Sequence, residues 1–333
     1  MKTIVNASLI IPLKETFIEL DTLLLSFLDW STLPKEIIIV ESGSLAHSID
    51  RVFLDFCNKN QININHIVDL NLFPGHARNI GIQNANNEIL AFLDVLTVPN
   101  DDWFETSYNL LIETNVDGVW GNTIYSASTQ REQIIRSSTF GANPVRTFPG
   151  SFLKKSVFMK IGLFIESVRA GEDGDLFSRI EMHNIEMLNP SNHLKYKGLE
   201  KITYFEVIKK WYRNYLFSAR LPHFKAHKDL YFYVLSGLLI ILAFNWNQVF
   251  SYDDSIRGWN TDSALYFPNV TKISIVSIVL AYTFLRGLIM PFRKGEILSF
   301  LLPINFLKIA FFSACLDFAK SFAFIKARLI KKN

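Results

Sequence analysis

A few side chains stand where short apolar runs end, and their types suit chemistry. Glu41 directly follows the run EIIIV (Glu36–Val40), and Asp94 directly follows ILAFL (Ile89–Leu93). Arg78 lies in PGHARN, and Glu172, Asp173 and Asp175 crowd into GEDGD. A carboxylate within reach of a hydroxyl can take its proton, and a carboxylate can also hold a divalent cation. An arginine can pair with phosphate oxygens. Each type has a plainer use as well. Glu41 and the GEDGD carboxylates suit a helix N-terminus. Asp94 suits a turn, and Arg78 an exposed helix face. His76, in the same stretch as Arg78, is a lone histidine of the kind that usually serves structure.

The elements that would position these residues follow from periodicity. Ile4–Leu13, Glu36–Val40, Ile62–Val68, Ile89–Leu93 and a run starting at Gly118 read as strands. Glu15–Trp30, Ser44–Asn58, His76–Asn86 and Asp101–Glu113 carry helical spacing between them. Repeated β-α-β units give a mostly parallel sheet flanked by helices on both faces. Ligands in such sheets sit beyond the carboxyl ends of the strands. That places Pro12–Glu15, Glu41–Ser44, Leu72–Arg78 and Asp94–Pro99 at the site edge. Helices are expected at Lys154–Ile161 and after Gly171–Asp175.

The chain has 333 residues, 49% of them apolar and 14% aromatic, which points to a membrane segment. Residues 1–204 carry 17 basic and 24 acidic side chains, a balance of −7. Residues 205–333 carry 17 and 7, a balance of +10. An acidic front and a basic, apolar rear fit a domain held on an anionic membrane surface. The basic residues flank apolar runs and form no polar patch, so nucleic acid is not an expected partner. Two cysteines, Cys57 and Cys315, exclude a disulfide framework and fit a reducing compartment. Met1–Leu13 lacks the pattern of a cleaved signal, so the N-terminus is expected in the cytoplasm.

Three regions follow: a catalytic domain at 1–204, a basic aromatic interfacial segment at 205–228, and a membrane region at 229–333. Leu230–Tyr252 runs 23 residues without formal charge, enough to cross roughly 30 Å of hydrocarbon. Ile273–Phe292 is a second expected span, with Arg286 near its end expected to snorkel. Ile297–Leu316 is a third apolar segment, expected at the interface or re-entering. Basic residues crowd before the first span, after the second and at the C-terminus, which places both ends inside. Trp211, Tyr212, Tyr215 and Phe217 suit the headgroup region, and Lys209, Lys210, Arg213 and Arg220 suit anionic lipid.

Four stretches in order resemble family 2 glycosyltransferases of the GT-A fold, the membrane-anchored bacterial type. They are SLIIPLKE (Ser8–Glu15), EIIIVESGS (Glu36–Ser44), PGHARNIGIQNANNEILAFLDVLTVP (Pro74–Pro99), and FPGSFLKKSVFMKIGLF (Phe148–Phe164) followed by GEDGDLFSRI (Gly171–Ile180). The resemblance implies a Rossmann-like α/β domain and an inverting transfer of sugar from a nucleotide-diphosphate donor. The acceptor implied is lipid-linked or an envelope polysaccharide, at the cytoplasmic face of the inner membrane.

The resemblance also implies roles. Pro12, Glu15, Glu41, Ser42, Arg78 and Asp94 would hold the nucleotide sugar. Asp94 would be the metal ligand for Mg²⁺ or Mn²⁺, being the first position of the family's Asp-x-Asp. Gly150 and Ser151 would line the acceptor side. Glu172 and Asp173 would form the catalytic pair, with Asp173 as base. Two departures stand out: Glu41 replaces the usual Asp, and Leu96 replaces the second Asp of Asp94-Val95-Leu96. Leu96 leaves three readings: a cation held by Asp94 with substrate phosphates and water, weak metal dependence with Arg or Lys in its place, or a catalytically inactive membrane scaffold. A nucleotidyltransferase would want a Gly- and cation-rich loop after the first strand, and Ile11-Pro12-Leu13-Lys14 is not one. Two spans cannot enclose a polymer pore within one chain, so single transfer is expected, and a pore would need a homo-oligomer.

Overall fold

The computed structural model describes residues 2–14, 17–222, 228–250, 252–253 and 258–329. Glu15 and the terminal Lys331 and Lys332 lie outside the described residues. The N-terminal half runs β1 (Thr3–Leu13), α1 (Phe17–Ser26), β2 (Thr32–Ser42), α2 (Arg51–Asn60), β3 (Asn63–Asp69), α3 (Pro74–Asn84), β4 (Ile89–Phe92), β5 (Thr97–Val98), α4 (Trp103–Thr114) and β6 (Gly118–Tyr125). It continues through α5 (Gln130–Ser138), β7 (Val145–Lys154), α6 (Lys155–Ile161), α7 (Glu172–Met182), β8 (Met187–Leu188), β9 (Leu194–Tyr196) and α8 (Tyr204–Ser218).

The large sheet has the order β3-β2-β1-β4-β7-β6-β9-β5, with β8 beside β6. β3, β2, β1 and β4 pair in parallel, as expected from the β-α-β units. β7 runs antiparallel to both β4 and β6, so the sheet is mixed. The near-continuous apolar runs are explained by burial on both faces. Along β1, Leu9, Ile11 and Leu13 enter one core layer and Ile10 the other. Along β2, Ile37 and Ile39 enter the first layer, and Ile38 and Val40 the second. The first layer is closed by Leu20, Phe27, Phe53, Trp103 and Phe104, with Trp30 fully buried among the rings of Phe27, Trp103 and Phe104. Ala77, Ile82, Phe158 and Leu176 help close the second.

Beyond α8 come α9 (Lys228–Phe250), a two-stranded pair β10 (Tyr252–Asp253) and β11 (Gly258–Trp259), and α10 (Val270–Phe284). A π-helical turn (Leu285–Ile289), α11 (Met290–Arg293), α12 (Leu298–Leu301) and α13 (Asn305–Leu329) follow. Val270–Arg293 is the one helix among the described residues long and apolar enough to cross a membrane, with mean hydropathy 2.0. Within the first expected span, the apolar helix is the shorter Ser236–Phe250. The second expected span, Ile273–Phe292, thus falls within a helix that is long and apolar enough to cross, and the first falls on α9.

Two expectations for the rear of the chain change. Arg286 does not snorkel: it is buried and donates to Asp317 of α13 at 2.8 Å, and Asp317 also accepts from Lys320 and Tyr282. A counter-charge on the neighbouring helix makes burial of the cation tolerable. Ile297–Leu316 is divided between α12 and α13. Its Leu301, Ile309, Phe312 and Leu316 form a core with Ile134 and Ile135 of α5, Leu199, and Val207 of α8. Packing therefore crosses the expected boundary at 204.

Candidate active site

A cavity of about 830 Å³ opens at the carboxyl ends of β1 and β4, where a doubly wound sheet places its ligands. Pro12, Ser42, Arg78, Asp94 and Asp173 all lie on its wall. They come from five separate segments, and the sheet brings them together.

Arg78 is the hub. It is only 4% exposed, and Nη1 donates to Asp173 Oδ1 at 2.9 Å and to Glu172 Oε1 at 3.3 Å, while Nη2 donates to Asp94 Oδ1 at 3.2 Å. The guanidinium lies over the rings of Phe148 and Phe164, at 5.3 and 5.5 Å from their centroids. Burial works against its charge, but Asp173, Asp94 and Glu172 outweigh burial and raise its pKa. Arg78 is a fixed cation within a carboxylate cage.

The residues around Arg78 explain its placement. Asn79 donates to the Phe164 carbonyl and accepts from the Phe164 N–H, both at 2.9 Å, tying α3 to the loop before α7. Gly81 presses on β1: a Cβ there would meet Ile10 Cγ2 at 2.4 Å. Asn79 and Gly81 are structural partners that sequence reading passed over, although the ARN-G spacing contained them.

Asp173 sits in the first turn of α7, behind Gly171, whose φ of +96° favours glycine. Its side chain stays 34% open, towards the cavity. Burial pushes the Asp173 carboxyl up to about 7; Arg78 draws it down, and the charges of Glu172 and Asp94 push it further up. Glu172 is buried, and its Oε2 has no hydrogen-bond partner among the described residues. Asp94 is 39% open. Its Oδ1 holds Arg78, and its Oδ2 has no protein partner among the described residues.

Other expected site residues fall elsewhere. Glu41 is not on the cavity wall. It is buried and accepts from His66 Nε2 at 2.8 Å and the His47 N–H at 2.9 Å, anchoring β3 and the loop after β2. Ser42 reaches the wall, but its Oγ accepts the Leu72 N–H at 3.0 Å. Ser151 is fully buried, accepting from the Gly121 N–H at 2.8 Å. Gly150 has φ +92° and packs so tightly that a Cβ would meet Leu194 Cδ1 at 2.2 Å. Gly150 and Ser151 are taken up by contacts within the sheet, while Arg146, Thr147, Phe148 and Pro149 reach the cavity.

The far wall is aromatic. Tyr125 stacks on Phe140 with centroids 3.7 Å apart, and Tyr196 tilts against Tyr125 at 5.0 Å. Burial pushes both phenols up, keeping them neutral. Lys210, Trp211 and Asn214 of α8 complete this wall. The helix expected to lie among headgroups thus turns one face into the cavity, because α13 packs along it and Lys320 covers the Trp211 ring at 4.8 Å. Sequence reading could not separate that face from the membrane-facing one, since cations and aromatics occur on both.

Among the described residues no three His, Cys, Asp or Glu side chains form a metal cluster. A hard cation such as Mg²⁺ needs only one or two carboxylates when substrate phosphates and water complete its shell. Asp94, with an oxygen to spare on the cavity wall, fits that requirement; Leu96, on the same wall, adds nothing to it.

Residues 8–167 match the model of glycosyl transferase family 2. The chain is a glycosyltransferase, and these residues form its family 2 domain. Mannosyltransferase PcManGT from Pyrobaculum calidifontis, in complex with GDP-Man and Mn²⁺, superposes on the glycosyltransferase with a TM-score of 0.53 at 13% identity, covering 98% of this chain and 88% of that one. That likeness establishes the mixed α/β GT-A-like fold. S. aureus TarS 1-349 gives a TM-score of 0.43 at 14% identity, covering 98% and 92%. No curated protein matches the sequence significantly.

Proposed function

We propose that the glycosyltransferase moves a sugar from a nucleotide-diphosphate donor to a lipid-linked or envelope-polysaccharide acceptor at the cytoplasmic face of a membrane, inverting the anomeric centre. The observation that carries this reading is the placement of Asp173 and Asp94 on one cavity wall, joined through Arg78. The acceptor hydroxyl attacks the anomeric carbon from the face opposite the diphosphate. The new C–O bond forms as the bond to the diphosphate oxygen breaks, and the hydroxyl proton passes to Asp173. A carboxylate whose pKa stands near 7 is well matched to that transfer. Arg78 holds Asp173 in place and Glu172 braces Arg78 from behind. Asp94 would hold Mg²⁺ or Mn²⁺, which when bound supplies charge to stabilise the leaving diphosphate.

The membrane reading is supported by Val270–Arg293, only 11% buried over its most apolar window, and by exposed Ile273, Val276, Val279, Leu280 and Phe284 along it. The aromatic wall suits a saccharide, whose apolar faces stack on rings. The test is a donor screen by nucleotide release, using membranes with extracted lipid acceptor and Asp173→Asn as control. Release that is acceptor-dependent and lost in Asp173→Asn supports the reading. Leu96 favours the scaffold alternative, and the absence of wild-type transfer with every donor and acceptor would establish it.

A further inference from the structure

The aromatic wall of the cavity is not held by the sheet alone. Phe140 stands on the loop between α5 and β7, stacked on Tyr125, with its ring centroid 6.0 Å from that of Trp211. Against that loop lies the turn 294–296, which directly follows the apolar helix Val270–Arg293.

Loop and turn are far apart in sequence and closely joined. Arg136, in the last turn of α5, donates from Nε and Nη2 to the two carboxylate oxygens of Glu296 at 2.8 and 2.7 Å. The Glu296 side chain is 2% exposed. Arg136 Nη1 also reaches the Tyr125 carbonyl at 3.5 Å. The Ala142 and Asn143 N–H groups both donate to the Lys294 carbonyl at 2.8 Å, and Lys294 Nζ donates to the Thr139 carbonyl at 2.7 Å. Gly141 has φ +83°, and a Cβ there would meet Lys294 Cβ at 2.3 Å. A two-pronged arginine–carboxylate pair fixes angle as well as distance. Burial makes the loss of either partner costly. A second tie reaches the same wall from the same helix: Arg286 holds Asp317, Asp317 accepts from Lys320, and Lys320 covers the Trp211 ring.

We infer that Arg136 and Glu296 are positioning residues for the acceptor. Their pair, together with the Lys294 carbonyl, seats the loop 139–143 so that Phe140 and Tyr125 present a fixed aromatic face to the saccharide. This rests on the acceptor reading above. Neither Arg136 nor Glu296 lines the cavity, so the pair acts through the rings and leaves the donor and Asp173 untouched. The apolar helix is thereby a strut of the acceptor site: displacing its end from the domain loosens the wall.

The test is steady-state kinetics on the full chain in detergent, with the donor chosen by the screen above and extracted membrane lipid as acceptor. Wild type is compared with Glu296→Gln, which breaks the pair, and Gly141→Ala, which pushes the loop off the turn without touching Glu296. Acceptor KM should rise about fivefold or more in each, the scale of one aromatic contact. Donor KM and hydrolysis of the donor by water should stay within about twofold. Arg136→Gln combined with Glu296→Gln should be no worse than Glu296→Gln alone, because the two residues act as a unit. If Glu296→Gln fails to fold, Gly141→Ala decides. A pair that only holds the fold together would lower Tm and the active fraction, and hence kcat, with acceptor KM unchanged. That result overturns the assignment and leaves the transferase reading intact. Equal rises in donor and acceptor KM overturn it as well. A wild type that releases nucleotide from no donor overturns both.

Discussion

Arg78 donates to Asp173 at 2.9 Å from the same nitrogen that reaches Glu172 at 3.3 Å. The base of the proposed reaction is therefore held by a cation that is itself held by three carboxylates. The predictions below test parts of that arrangement.

Asp173→Asn keeps the shape of the side chain and removes its basicity. Transfer should fall by at least about a hundredfold, within the range of general-base contributions. Nucleoside diphosphate affinity should stay within about threefold. Initial rates and calorimetric titration measure the two, and a variant with more than a tenth of wild-type transfer would exclude Asp173 as base.

The pH profile follows from the raised carboxyl. Asp173 accepts a proton only when ionised, so transfer should rise with pH through about 7 and flatten above it. Stability runs the other way. A folded-state pKa raised above the ordinary aspartate value contributes stability that is full below that ordinary value and is lost as pH rises through about 7. Asp173→Asn should flatten the fall of Tm between about pH 4 and about 7. A Tm profile identical to wild type would contradict the raised pKa of this carboxyl.

Arg78→Ala leaves Asp94, Glu172 and Asp173 without their cation. Removing one partner of a buried ionic cluster costs about 3 kcal/mol or more. Denaturant unfolding of the purified protein should show a loss of that size. The acid limb of any residual activity should move to higher pH, since Arg78 lowers the Asp173 pKa. An unchanged midpoint of unfolding would mean that the cage does not hold the site together.

Gly81→Ala tests the strand contact. The added methyl meets Ile10 Cγ2 at 2.4 Å, so α3 must move away from β1. Overpacking of this kind costs about 2 kcal/mol. Because α3 carries Arg78, activity should fall along with Tm, and a variant with wild-type Tm would argue against the close packing.

Metal dependence is the last test. With one carboxylate for the cation, transfer should require Mg²⁺ or Mn²⁺ and recover when either is returned after EDTA. Full turnover in excess EDTA would remove the cation from the scheme.

The sequence by itself determined the sheet and its parallel half. EIIIV and SLIIP are continuous apolar runs because they are covered on both faces, and no other element of that length needs such a run. It also determined the positions of Asp94, Arg78 and Asp173, since a strand end, a helix start and an acidic N-terminal turn are local features. What it did not determine was which side chains near those positions face the cavity. Glu41 and Ser151 have the right types but are turned into the fold, where His66 and the Gly121 N–H partner them. Direction on a strand depends on register, and register is set by distant partners. The same holds for the rear of the chain. An apolar stretch reads alike whether lipid or protein covers it, so only the tertiary structure could bring α13 onto α5 and α8, bury Arg286 against Asp317, and turn Lys210 from a membrane-facing cation into part of the cavity wall.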